Sequence, residues 1–374
     1  MAVELKSLSL RGFKTYRDLP LFEPGRLSVL VGGNGAGKSN LVSFFSLLYR
    51  MMAEGGELQL AVSEAGGAGR LLHDGPKNTE SVSARLELQA DQGVNFYEFR
   101  LSFAANDTLI FTEENWGFQR PDRPAPQTGG HVAGHRESNL MERAFSGTDQ
   151  LAHTIRSLLR KCVAYQFHDT SFTSGMRRKS SRADARFLHR DGSNIAAFLD
   201  RLGVGSPAER LALKRIQDSV RQVLPFFAEF VLVPENGHVM LQWRERGSDE
   251  VFAASQASDG MLRLLSLMTL LCQPESTLPA ILMLDEPELG LHPQAIMMVA
   301  SLIRKVSTHC QVLVATQSVP LVDEFSLDEI VVLSRPERVS TLRRLSAKEY
   351  ETWLEEYSTG ELWRKNLLEG GPGR

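Results

Sequence analysis

Long apolar runs are missing from this sequence. No stretch reaches the roughly 18 consecutive apolar residues that a membrane-spanning helix needs. The N-terminus, MAVELKSLSL, also lacks a basic region followed by an apolar core and a cleavage site, as a secretion signal would have. These two absences favour a cytoplasmic protein with no membrane partner.

Cysteine is scarce, and charge of neither sign predominates. The three cysteines are far apart in apolar stretches, which is typical of buried thiols and not of disulfides or metal ligands. A net charge of −3 excludes the general basicity of many nucleic-acid-binding proteins. Any DNA-binding surface must be local, and the best candidate is the basic segment, residues 176–190, although a solvated or mobile loop is the simpler explanation because such runs are common on protein surfaces. Its basic side chains are Arg177, Arg178, Lys179, Arg182, Arg186 and Arg190.

The most informative segment that is present is GGNGAGKS, residues 32–39, called here the phosphate loop. It follows an apolar run and precedes a helix-like run, which is the context that the pattern G-x-x-x-x-G-K-S requires. Its glycines let backbone amides point at phosphate oxygens. Lys38 supplies charge for the terminal phosphates of ATP, and the Ser39 hydroxyl suits the accompanying Mg²⁺. The predicted nucleotide-binding residues here are Gly32, Gly33, Asn34, Gly35, Ala36, Gly37, Lys38, Ser39 and Asn40.

A second segment, ILMLDEPELGLHP, begins with four apolar residues typical of a buried parallel strand. The strand would deliver Asp285 and Glu286 at its carboxyl end. Adjacent carboxylates in an apolar run are costly to bury, and a divalent cation with its water compensates for that cost. We expect Asp285 to hold magnesium and Glu286 to act as the general base toward the attacking water. Taken alone, the segment could also be a solvated turn.

A third segment, Ser258, Asp259 and Gly260, is called here the signature segment. It precedes the apolar run MLRLLSLMTLLC, which predicts a buried helix with Ser258 as its N-cap. By itself the tripeptide is explained by such a capped helix.

In this order, the segments resemble those of ATP-binding-cassette (ABC) ATPases of the RecF and SMC type. More narrowly, the chain resembles compact bacterial RecF-like ATPases related to the overcoming-lysogenization-defect ATPases. Further segments that carry the resemblance are LRGFKTYRDL, YQFHDTS, DGSNIAAFLDRL, VATQSVPLVDEF and YSTGELWRKN. It implies an α/β P-loop NTPase fold with a mostly parallel core sheet, an antiparallel β subdomain and a small helical lobe. Because no sustained heptads separate Ser39 from Ser258, we expect no long coiled coil.

The resemblance also assigns roles across two subunits. The signature segment of one subunit would face the terminal phosphate of ATP held by the other, which implies an ATP-dependent homodimer. Gln317 stands where these ATPases commonly have a switch histidine, and its neutral amide implies slow or partner-dependent turnover. Gln166 and His168 compete for the role of the lever-loop glutamine, and either also fits a packed strand end. His292 either reports across the subunit interface or simply begins a helix.

Length and a hydrophobic content of 42% fit a single ATPase head over residues 1–374. We divide it into an N-terminal lobe at residues 1–110 with the phosphate loop and two alternating strands, a loop and helical lobe at 111–230, and a C-terminal lobe at 231–374. The stretch 117–135 is rich in proline and glycine and predicts an exposed loop.

Three functions compete. The resemblance favours an ATPase in DNA repair or anti-phage defence that couples its cycle to DNA or to a separate nuclease or effector protein. The short tail after Leu333 leads us to expect no appended nuclease domain. The second function is a nucleotide-gated regulatory protein with little turnover. The third, a transporter ATPase subunit, fits less well, because such subunits usually carry LSGGQ and a switch histidine where this chain has ASDGM and Gln317.

Overall fold

A computed structural model describes residues 3–123, 125–130, 133–147, 149–368 and 371. Its strands are β1 Glu4–Phe13, β2 Tyr16–Phe22, β3 Leu27–Val31, β4 Ser81–Ala90, β5 Gly93–Ala104, β6 Thr108–Gln119, β7 Gln127–Gly130, β8 Cys162–Tyr165, β9 Ser180–Ser181, β10 Phe227–Phe230, β11 His238–Val239, β12 Gln242–Glu245, β13 Val251–Ala253, β14 Ile281–Asp285, β15 Gln311–Thr316, β16 Ile330–Ser334 and β17 Thr341–Arg344. Its α-helices are α1 Lys38–Met51, α2 Leu58–Glu64, α3 Asn139–Ser146, α4 Gln150–Leu159, α5 Ile195–Val204, α6 Pro207–Val223, α7 Asp259–Cys272, α8 Pro293–Ser307, α9 Val319–Val322, α10 Glu351–Leu354 and α11 Thr359–Arg364.

A six-stranded core sheet has the order β17-β16-β3-β15-β14-β8. Its central strand, β3, pairs in parallel with β15 on one side and β16 on the other. Every residue of β3, β14 and β15 is buried. Parallel strands covered on both faces need apolar side chains at nearly every position, which explains why these strands are mainly apolar in the sequence. The predicted α/β fold with a mostly parallel core sheet is confirmed.

A second sheet is antiparallel and has the order β2-β1-β4-β5-β6-β7. The predicted pair of alternating strands is confirmed as β4 and β5, which pair along their length from Ser81 with Ser102 to Ala90 with Gly93. Inward residues of β4 alternate with partly exposed ones, as a sheet with one buried face requires.

The predicted exposed loop at residues 117–135 is wrong in part. Gly117–Gln119 complete β6, and Gln127–Gly130 form the edge strand β7 against it. Gly129 permits this pairing, because a Cβ there would lie 2.5 Å from the indole nitrogen of Trp116. Proline and glycine indicate turns locally, but an edge strand is stabilised by the backbone of its neighbour, which local composition does not report.

The chain forms two compact units that interleave along the sequence. The first unit comprises Met1–Ala164, Pro279–Met283 and Cys310–Arg374, and the second comprises Tyr165–Leu278 and Leu284–His309. The predicted lobes, with limits at 110 and 230, were consecutive. The observed units are not, because a parallel sheet collects strands from distant parts of a chain.

The second unit contains α5–α8 and two small antiparallel sheets. One of these sheets has the order β10-β12-β13, and the other pairs β9 with β11. The longest helix in the described part of the chain is α6, with 17 residues. Within that same part, no helix has the length and apolar character needed to cross a membrane.

Candidate nucleotide-binding site

The phosphate loop connects β3 to α1 in the first unit. Gly35 and Gly37 have φ angles of +77° and +114°, which lie in the left-handed region that only glycine adopts at little cost. A Cβ on Gly37 would lie 2.3 Å from Ser340 Oγ, so no larger residue fits there. Lys38 Nζ donates to Gly32 O at 2.5 Å and to Gly33 O at 3.1 Å, which holds its buried ammonium against the loop. This backbone cradle with a buried cation suits a polyphosphate.

The cradle is held by residues that the sequence analysis did not single out. Ser340 Oγ donates to Ala36 O at 2.7 Å, and Tyr16 OH donates to Gly37 O at 3.0 Å. Thr15 Oγ1 lies 2.7 Å from Ser340 Oγ and accepts a hydrogen bond from Asn40 Nδ2. The β1–β2 turn and the segment after β16 therefore fix the start of α1. No local pattern marks these residues, because they meet the phosphate loop only in the folded sheet.

Gln317 lies in the first unit, immediately after β15. Thr316, the last residue of β15, is the register partner of Val31, which precedes the phosphate loop. The sheet thus places Gln317 one residue beyond the strand that pairs with β3, close in register to the start of the phosphate loop.

Asp285 and Glu286 lie in the second unit, where β14 ends. Asp285 is buried and Glu286 is half-buried. The φ angle of Glu286 is +45°, a left-handed conformation that is uncommon for a residue with a side chain. Such outliers persist where surrounding structure imposes them and are frequent at functional sites. A cavity of about 10 Å³, lined by residues that include both carboxylates, His168 and Arg263, is close to the space of one water molecule.

Both candidates for the lever-loop glutamine contact Asp285. Gln166 Nε2 donates to the carboxylate oxygen Oδ2 of Asp285 at 2.7 Å. His168 Nε2 lies 3.1 Å from the backbone oxygen of the same residue. Of these two residues, Gln166 is therefore the one that binds the carboxylate that we expect to hold magnesium. We call residues 165–171 the lever segment.

Arg263 on α7 also contacts the lever segment. Its Nε donates to Phe167 O at 3.3 Å, and its terminal nitrogen donates to His168 O at 3.2 Å. Arg263 is the single charged residue of the otherwise almost wholly apolar run MLRLLSLMTLLC, and that was the sequence signal that could have singled it out.

The signature segment forms the start of α7. Ser258 is the N-cap, and its hydroxyl accepts from Met261 N at 3.2 Å, as the sequence predicted. Ser258 and Asp259 are exposed. Gly260 packs against the segment after Glu286, since a Cβ on it would lie 2.7 Å from Gly290 O. The second unit therefore presents a polar, solvent-exposed helix start.

One other sequence interpretation needs correction. Arg177 was grouped with a candidate DNA-binding surface, but its side chain is only 8% exposed and is bound to protein groups. Lys179 and Arg182 from the same segment pair with Glu235 and Asp200. The segment is therefore not a set of uncommitted cations. His292 begins α8 as its N-cap, with Gln294 N donating to its ring, which agrees with the helix-start alternative for this residue.

Comparisons with known proteins give a family and a fold. A family model described as "AAA domain, putative AbiEii toxin, Type IV TA system" matches residues 27–324. No curated protein sequence matches the chain.

Several solved structures are similar, all at low identity. The Smc head domain with an extended coiled coil from Pyrococcus furiosus, bound to the C-terminal domain of ScpA, is 16% identical with a TM-score of 0.60, and the match covers 95% of this chain and 99% of that one. An Smc head bound to the C-winged helix domain of ScpA is 16% identical with a TM-score of 0.58, and that match covers 93% of this chain and 99% of the other. The Smc head domain with a coiled coil and joint from Pyrococcus yayanosii is 13% identical with a TM-score of 0.54, and that match covers 95% of this chain and 99% of the other. The chain therefore belongs to the AAA-domain family of that description, and its fold is that of the SMC head ATPases.

Proposed function

We propose that the protein is a magnesium-dependent ATPase in which two subunits close around two ATP molecules and separate after hydrolysis. The observation that carries the proposal is the phosphate loop, with left-handed Gly35 and Gly37 and the buried ammonium of Lys38 against its carbonyls. The glycines leave backbone amides facing a bound phosphate, and the ammonium supplies a fixed positive charge.

Each remaining residue has one proposed role. Lys38 binds the terminal phosphates, and Ser39 and Asp285 are the magnesium ligands, with Gln166 orienting the Asp285 carboxylate. Magnesium delivered with ATP neutralises charge on the phosphates. Glu286 accepts the proton of the attacking water, a contribution typically of about 10² to 10⁴ in rate. Gln317 donates a hydrogen bond to the terminal phosphate without adding charge.

The second subunit supplies the signature segment. The exposed Ser258 and Asp259, and the close packing of Gly260, support its use as a surface that meets the nucleotide of the partner subunit. A helix N-terminus favours the anionic terminal phosphate. The homodimer is thus the catalytic form in this proposal.

The cycle would act on DNA or on a separate nuclease or effector protein, in DNA repair or anti-phage defence. The similarity to Smc heads that are bound to ScpA supports a protein partner. A toxin in the family description is consistent with a defence role. The alternative, a nucleotide-gated regulatory protein with little turnover, is favoured by one observation, the neutral Gln317 at the switch position.

Light scattering with saturating Mg-ATP tests the two-subunit site. Glu286→Gln should bind ATP and accumulate as a dimer, because it lacks the base that ends the cycle. Lys38→Ala should fail to bind and remain monomeric. A glutamine variant that stays monomeric while binding ATP would show that the two-subunit site is wrong.

Turnover separates the remaining alternatives. ATPase activity of the wild type, with and without linear double-stranded DNA at low salt, is compared with that of Glu286→Gln as the blank. Low salt is needed because phosphate contacts weaken steeply as salt rises. Stimulation by DNA supports direct DNA coupling, and unstimulated turnover directs the search to a protein partner. Wild-type activity no higher than the blank under all conditions supports the regulatory alternative.

A further inference from the structure

Arg177 lies in a short 3-10 turn of the second unit, between the lever segment and the signature segment. Its Nε donates to Thr170 O at 2.8 Å. One terminal nitrogen donates to Ala254 O at 2.6 Å and Ala257 O at 3.0 Å. The other donates to Asp259 Oδ1 at 3.0 Å. A side chain that is 8% exposed therefore connects two parts of the chain that are far apart in sequence.

The acceptors match the planar guanidinium. Arginine presents five N–H donors in a fixed fork, so one side chain can bond acceptors on two sides at once. Lysine has three donors on one atom and cannot reach both sides in that geometry. The contacts to Ala254 and Ala257 fix the turn that leads directly into Ser258, and the Asp259 contact fixes the first residue of α7.

The other end of this connection is the lever segment. Thr170 is four residues after Gln166, whose amide binds the Asp285 carboxylate. A continuous set of contacts thus runs from Asp285 through Gln166 and the lever backbone to Thr170, and through Arg177 to the signature segment. This route lies entirely within the second unit.

We infer that Arg177 is a positioning residue that holds the signature segment in the conformation that binds the nucleotide of the partner subunit. The inference rests on the proposed two-subunit ATPase and deepens it. Arg177 does not itself touch ATP. Without its fork, the signature segment samples other conformations, and each subunit is competent to close for a smaller fraction of the time. Because both subunits of the homodimer must be competent, the apparent dissociation constant of the dimer rises by the reciprocal of the square of that fraction.

The test compares Arg177→Lys with Arg215→Lys, the same substitution at an exposed position of α6 in the same unit. ATP turnover per subunit is measured against protein concentration, and binding of a fluorescent ATP analogue is measured on dilute monomer. For Arg177→Lys we expect the half-saturating protein concentration to rise about tenfold or more, with maximal turnover and analogue affinity within about threefold of the wild type. Arg215→Lys should match the wild type in all three quantities.

A purely structural role predicts a different pattern. Loss of analogue binding, or lower maximal turnover at an unchanged half-saturating concentration, would overturn the inference. If wild-type turnover per subunit does not depend on protein concentration, the two-subunit proposal fails and the inference fails with it. An unchanged curve for Arg177→Lys beside a concentration-dependent wild type refutes the inference alone.

Asp259→Asn provides a variant that keeps the fold, because the Asp259 side chain is 63% exposed. It removes the charge that Arg177 pairs with and should raise the half-saturating concentration by a smaller factor. If Asp259 acts through Arg177, the double variant should equal Arg177→Lys alone, since residues in one network are not additive. Additive shifts of the two substitutions would contradict the connection.

Discussion

Replacing Gly260 with alanine probes the close packing of the signature segment. Gly260 is the second residue of α7 and is not among the glycines with positive φ, so its backbone accepts alanine without torsional strain. The obstacle is contact, because the new Cβ would lie 2.7 Å from Gly290 O. The obstructing atom belongs to the backbone, so either α7 or the segment after Glu286 must move.

The expected magnitude follows from two opposing contributions. Overpacking a tight contact costs about 1–3 kcal/mol of unfolding free energy. Better helix propensity of alanine returns at most about 1 kcal/mol, and less in the first turn. Gly203→Ala is the matched control: it also lies in a helix, α5, but its Cβ would lie 3.3 Å from the movable Leu213 Cδ2. We expect the control to be neutral or slightly stabilising.

Thermal unfolding and turnover measure the two consequences. For a unit of this size, 1 kcal/mol corresponds to roughly 2–4 °C in Tm, so Gly260→Ala should lower Tm by several degrees and Gly203→Ala should not. Turnover should fall for Gly260→Ala because the signature segment is displaced. If both variants have the same Tm as the wild type and full turnover, the contact between Gly260 and Gly290 does not constrain this site, and the reasoning is refuted.

Two further predictions concern the lever segment and the thiols. Gln166→Ala should lower kcat or raise the Mg²⁺ requirement by about 10–100-fold, because Gln166 orients a proposed metal ligand. His168→Ala should have a smaller effect. Equal effects of the two variants in a magnesium titration would contradict the choice of Gln166. Burial raises the pKa of Cys162 and of Cys310 to about 12, so both should resist iodoacetamide at about pH 8.5 in the native protein, as mass spectrometry can show. Because the thiols of the unfolded chain lose their protons first, the free energy of unfolding should fall as the pH rises from the ordinary thiol pKa of 9.0 toward about 12. Rapid alkylation of either thiol in the native protein would contradict its burial.

The strands of the core sheet could be predicted because burial on both faces leaves a direct pattern. Residues 281–284 and 312–315 are apolar throughout, and the structure buries all of these residues. The pair β4 and β5 was predictable for the complementary reason, since one buried face gives strict alternation. β7 was missed because its stability comes from pairing with β6 and not from its own residues.

Some residues of the candidate site could be named from the sequence, and others could be found only in the folded structure. The phosphate loop is a contiguous motif whose glycines and lysine act locally, so its residues could be named in advance. The choice between Gln166 and His168 required knowledge of which atom of Asp285 each one contacts. Ser340 and Tyr16 support the phosphate loop from distant segments, and no spacing rule connects them to it.

The sequence by itself determined the class of fold and the segments that are suited to bind a phosphate or to hold a cation, because these depend on residue types at short, fixed spacings. Only the tertiary structure decided what the basic segment does. Composition presented Arg177 as a surface cation, but the fold buries it against Thr170, Ala257 and Asp259. A guanidinium binds whichever acceptors the fold brings within hydrogen-bonding distance, and acceptors from distant parts of a chain meet only when the chain has folded.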